Sequence, residues 1–104
     1  MNNLSADLWQ LGRREDALTA IEEAVTLYRE LAAARPDAFL PDLASSLNNL
    51  SVWLGELGRR EDALTAIEEA VTLRRELAAK HPEIHRAALV QSLRVLSWMQ
   101  DGQR

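Results

Sequence analysis

"LGRREDALTAIEEAVTL" runs from Leu11 to Leu27 and again, without a change, from Leu57 to Leu73. A shift of 46 residues keeps the flanking sequence in register as well. Asn2-Asn3-Leu4-Ser5 falls on Asn48-Asn49-Leu50-Ser51, Leu8 on Leu54, Pro36 on Pro82, Leu43 on Leu89 and Leu47 on Leu93. A third copy starts at Leu93 and fades. Self-similarity at a fixed period of tens of residues marks stacked supersecondary units, each burying its apolar face on its neighbours.

Each unit reads as two helices. Leu40, Leu43, Leu47, Leu50, Leu54 and Leu57 alternate spacings of three and four, which lines one helical face. Pro41 suits a first turn, and Gly58 can adopt the left-handed conformation that ends a helix. Glu61 and Asp62 then lie in the first turn of the next helix, where its dipole favours acids. That helix carries Ala63, Leu64, Ile67, Ala70, Val71, Leu77 and Ala78 at helical spacing and stops before Pro82. Ala63, Ala66 and Ala70 leave room for a close neighbour. The pattern predicts five helices over 2–11, 14–34, 41–57, 60–80 and 83–100, with 35–40 irregular. The last helix is expected to start earlier than its counterpart, because "HPEIHR" lacks the second proline of "RPDAFL". The fold class is all-α, a stack of antiparallel helical hairpins with about two repeats and a terminal helix. One domain covers 1–104, divided into a truncated first repeat (1–40), a second repeat (41–82) and a terminal helix (83–104).

Bulk properties narrow the function. The chain has 104 residues, 47% of them hydrophobic, and is rich in alanine, leucine, glutamate and arginine, which favour helix. It has no cysteine, hence no disulfide, thiolate metal site or cysteine nucleophile. "MNNLSADLWQ" lacks the basic and apolar regions of a signal peptide, and no apolar run reaches the roughly 20 residues of a membrane span. A cytoplasmic setting is the expectation. The net charge of −4 is dispersed, against the basic face that nucleic acid requires.

"LNNLSVWLGELGRREDALTAIEEAV" (47–71) resembles a tetratricopeptide repeat (TPR). Leu50-Ser51 stands where the motif has Leu and a small residue. Leu54 is its next large residue, Gly58 its turn glycine, and Ala63, Ile67 and Ala70 its helix-B pattern. The first copy matches at Leu4, Ser5, Leu8, Gly12, Ala17, Ile21 and Ala24. The period departs from the usual 34, and Leu47 stands where the motif often has Trp. The sequence is similar to the long repeats of kinesin light chains and bacterial scaffold proteins. The resemblance implies a superhelical, non-catalytic protein–protein interaction scaffold, whose groove can hold an extended peptide. The alternative is a self-associating repeat, a product of recent duplication or design.

Candidate groove residues follow from that resemblance. Asn3 and Asn49 are one repeat apart, at a helix-A position that faces the groove in the family. A primary amide there can donate to and accept from one peptide unit, although either residue could simply bind water. The third copy has Val95 instead. Trp9, Val52 and Trp98 map to groove-facing places, and Arg94 is the basic residue that fits a carboxylate grip. Trp9 and Trp98 could equally lie over open chain ends. Trp53 is expected between helices. His81 and His85 lack the further ligands of a metal site, and no cofactor is expected. The repeated acids, such as Glu22 and Glu23, read as solvated helix faces, and Arg13-Arg14 and Arg59-Arg60 as solvated turns. No catalytic grouping is present.

Both ends of the stack look open, because Met1 stands where Leu47 stands in the next copy. Leu4, Leu8, Leu89, Leu93, Leu96, Trp98 and Met99 are therefore candidates for a homo-oligomer interface. A symmetric dimer or small closed oligomer is the expected state.

Overall fold

The computed structural model describes residues 3–101, with side chains described from Gly12 onward. The described chain forms four α-helices: α1 (Asn3–Ala34), α2 (Pro36–Glu56), α3 (Arg60–Lys80) and α4 (Pro82–Asp101). Each packs along its sequence neighbour, and α2 also touches α4. The radius of gyration is 15.2 Å, against about 13 Å for a compact domain of this length. The chain is elongated, as a stack of hairpins should be.

Two kinds of corner build the stack. At the first kind, one residue outside the helices joins them. Arg35 (φ −141°, ψ 76°) and His81 (φ −139°, ψ 74°) each precede a proline, whose ring disfavours helical backbone at the residue before it. Pro36 and Pro82 then open α2 and α4, where the missing N–H has no intrahelical partner to lose. The two helices therefore start at equivalent positions. The expected irregular stretch over 35–40 shrinks to Arg35, and Pro41 lies inside α2 rather than in its first turn. Ring contact between Tyr28 and Phe39, centroids 6.5 Å apart, closes the α1–α2 corner.

The second kind of corner ends α2. Gly58 has φ +82°. Its N–H donates to the Gly55 carbonyl at 3.1 Å, and the Arg59 N–H donates to the Leu54 carbonyl at 2.9 Å. This pair of bonds is a Schellman motif, with glycine in the left-handed position that side chains resist. Arg59 then donates to Asp62 at 2.8 Å across the first turn of α3.

The identical stretch in the first copy does something else. Helix α1 runs through Gly12 for 32 residues without a break, so the two expected helices over 2–11 and 14–34 are one. A helix interior tolerates glycine at about 1 kcal/mol relative to alanine, so Gly12 can continue the helix, whereas the turn at Gly58 folds α3 back on α2 and buries Ala63, Ala66, Ile67 and Ala70.

The core follows the apolar stripes. Leu43, Leu47 and Leu54 of α2 meet Ala63, Ile67, Ala70 and Val71 of α3, with Leu18, Val25 and Ala32 from α1 and Met99 from α4. Ile67 is fully buried, which contributes about 1.5–3 kcal/mol relative to an exposed site. Trp53 packs against this core as expected and shares a surface hollow with Arg13, Arg14 and Ala17 of α1.

Candidate functional site

Alternate helices form two layers. In one, α1 and α3 are clamped by Arg29, which donates to both carboxylate oxygens of Glu69 at 2.5 and 2.7 Å. That bond holds the Arg29 guanidinium above its ordinary pKa. In the other layer, α2 and α4 present the open face of interest.

On α2 the exposed residues Ala38, Asp42, Ser45, Asn49 and Glu56, with half-buried Val52, recur every three or four positions. They form a single stripe. On α4 the exposed residues Ile84, Ala87, Gln91, Arg94, Trp98 and Asp101 do the same. Arg74 of α3 ties the two stripes together from beneath. Its Nη2 donates to Ser45 Oγ of α2 at 3.2 Å. Its Nη1 donates to the Ala88 carbonyl, Ser92 Oγ and Gln91 Oε1 of α4 at 3.0, 2.8 and 3.4 Å. Ser92 Oγ in turn donates to Asn48 Oδ1 at 2.8 Å, and Ser51 Oγ to the Asn48 carbonyl at 2.6 Å.

Arg74 is 6% exposed, and every acceptor named here is neutral. Burial pushes its pKa below the ordinary arginine value, yet a guanidinium stays charged at any working pH. The arrangement is a satisfied polar core that sets the spacing of α2 and α4. Sequence reasoning missed it. The available signal was the one difference in "VTLYRELAA" against "VTLRRELAA", which replaces Tyr28 by Arg74.

The candidate residues divide accordingly. Asn49 is exposed on the α2 stripe, and its side chain makes no hydrogen bond among the described residues. Trp98 is 57% exposed, yet it lies across the neighbouring helix. A Cβ built on Gly55 would stand 3.5 Å from its ring and 3.6 Å from the Met99 methyl. Val52 is half-buried on the same α2 stripe as Asn49. Arg94 sits one turn before Trp98 and also borders a shallow hollow on the outer side of α4 with Glu83, Arg86 and Val90. Met99 is buried, and Leu89, Leu93 and Leu96 are half-buried against the chain's own core. The side chains of Asn3, Leu4, Leu8 and Trp9 lie outside the described residues. Among the described residues no three His, Asp or Glu side chains converge as metal ligands, and no helix is long and apolar enough to cross a membrane.

A family profile described as tetratricopeptide repeat matches residues 1–35 and 43–83. The chain belongs to the tetratricopeptide repeat family. No curated protein and no solved structure matches it. Tetratricopeptide repeats are non-catalytic scaffolds that mediate protein–protein interaction, and the two matched segments correspond to the two copies.

Proposed function

We propose that this chain is a non-catalytic interaction module that holds an extended peptide along the α2–α4 face. The observation that carries the reading is Trp98, an indole 57% exposed and yet seated against Gly55 of α2. Such an aromatic offers a large, rigid contact area at little entropic cost. Asn49 and Gln91 are exposed on the same two stripes, and their amides supply donors and acceptors for a peptide backbone. The Asn3 side chain of the proposed Asn3–Asn49 ladder lies outside the described residues, and Gln91 of α4 adds a second exposed amide to this face.

Screening a displayed library of random dodecapeptides against the purified chain tests this. Enriched peptides should quench tryptophan emission. Trp98→Ala should weaken them by about tenfold or more, and Asn49→Ala should weaken them without changing the melting temperature. No enrichment, or peptides indifferent to Trp98→Ala, would remove the groove reading. Self-association is the second reading, favoured by uncovered outer faces on α1 and α4.

A further inference from the structure

The two copies of the repeated stretch sit in different surroundings, and the difference exposes one surface. In α3, Ala66 and Ala70 are buried and Leu73 is half-buried, because α2 covers them. Ala66 and Glu69 share a hollow with Leu47, Leu50 and Leu54 of α2. The identical residues of α1 are Ala20, Ala24 and Leu27. There Ala20 is exposed, Ala24 only half-buried and Leu27 52% exposed. This outer face of α1 is a donor surface shaped to pack on an α2-like helix, and none covers it among the described residues.

The matching acceptor lies at the other end of the molecule. Leu40, Ala44, Leu47 and Ser51 of α2 lie on its covered side, with Ala44 and Ser51 fully buried. Their counterparts one repeat later are Arg86, Val90, Leu93 and Ser97 of α4. Arg86, Val90 and Ser97 are exposed, and Leu93 is half-buried. Charge agrees with the match. The open side of α1 carries Asp16, Glu23 and Glu30, seven residues apart and all exposed, while the open end of the stack carries Arg75, Arg86 and Arg94.

One pair fixes the register. Inside the chain, Arg29 of one repeat clamps Glu69 of the next. One repeat further on, Arg29 becomes Arg75, and Glu69 stepped back one repeat is Glu23. Both are exposed, and neither makes an ion pair among the described residues.

We infer that a second copy of this chain docks its α1 on the outer face of α4. The contact reproduces the internal α2–α3 packing, with Arg75 of one chain gripping Glu23 of the next. Donor and acceptor are different surfaces, so the contact is head-to-tail and adds chains in a row rather than closing a two-fold pair. It uses the Arg86–Val90–Ser97 side of α4 and reaches the neighbouring stripe only at its edge, at Arg94, leaving Trp98 free.

Sedimentation of the full chain over a concentration series, with reversed-charge variants, tests this. The wild-type mass should climb past two chains as concentration rises. Arg75→Glu and Glu23→Arg should each weaken association roughly tenfold, because each sets like charges against one another. An equimolar mixture of the two, and the double variant within one chain, should recover it. Ala20→Arg changes an exposed residue and should leave helicity intact while lowering association roughly a hundredfold, since the close approach is lost. A constant one-chain mass at every concentration would overturn the proposal. So would a plateau at two chains, or single variants that neither weaken association nor complement one another.

Discussion

Replacing each of the two turn glycines by alanine should move stability in opposite directions, although both lie in the same 17-residue sequence. Gly58 holds φ +82° between α2 and α3. An alanine there meets no neighbouring atom within 4 Å, so the penalty is conformational alone. A side chain in left-handed backbone costs about 1–2 kcal/mol. Gly12 lies inside α1, and a methyl built on it also meets nothing within 4 Å. Alanine exceeds glycine in a helix interior by about 1 kcal/mol, reduced to about 0.5–1 kcal/mol by the nearby helix end. For a domain of this size 1 kcal/mol corresponds to about 4–8 °C in melting temperature. Thermal circular dichroism at one fixed concentration should therefore show Gly12→Ala melting about 2–8 °C higher than wild type. Gly58→Ala should melt at least about 4 °C lower. The fixed concentration matters because association would raise the midpoint by mass action. The sites are independent, so the double variant should fall near the sum of the single shifts. A loss of stability at Gly12 comparable to that at Gly58 would mean that the first copy also turns there, and the continuous α1 would be wrong.

Other perturbations follow from the packing. Arg74→Ala strands the acceptors on Ser45, Ala88 and Ser92 and should cost about 2–4 kcal/mol by urea denaturation. Arg74→Met, which refills the space but not the hydrogen bonds, should cost less. Ser92→Ala removes the link between Arg74 and Asn48, and its expected loss is about 1–2 kcal/mol in the same assay. Ala66→Leu overpacks a buried helix contact and should destabilise by about 1–3 kcal/mol. Ala20→Leu, the same change at the equivalent exposed site, should shift the melting temperature of dilute protein by very little. A double-mutant cycle on Arg29 and Glu69 should return a coupling of about 0.5–1 kcal/mol that shrinks in high salt, since both side chains are partly exposed.

The architecture was legible because the 46-residue period, the three–four spacing of Leu40 through Leu57 and the alanine row from Ala63 to Ala70 all describe one object. What escaped sequence reading was context. Gly12 and Gly58 open the same repeated stretch, yet Gly12 continues α1 and Gly58 ends α2 with φ +82°. Pro41 looked like a helix start, but Pro36 already occupies that place and Pro41 continues the helix. At the groove, Trp98 could be placed on α4 by period alone. Its seat on Gly55 depends on how closely two helices approach, which no single stripe reveals. Arg74 was hidden because a charged residue on a polar-looking turn reads as solvated. Only the packing shows that it sits 6% exposed beneath Ser45 and Gln91.

The single-residue corners at Arg35 and His81 also determine how the folded chain meets a protease. Cleavage requires several consecutive residues drawn out into an enzyme's cleft. Between Asn3 and Asp101 the chain leaves helix only at Arg35, at His81 and over Leu57–Arg59. Basic residues that trypsin would recognise are exposed at Arg59, Arg60 and Lys80, but the folded backbone around them is too short to be engaged. Each cut must wait for a helix end to peel away, so digestion follows the population of opened states rather than the number of accessible sites. The order in which fragments appear would then rank the hairpins by their opening free energy, with bonds near Gly58 and bonds near His81 reporting on separate corners of the stack.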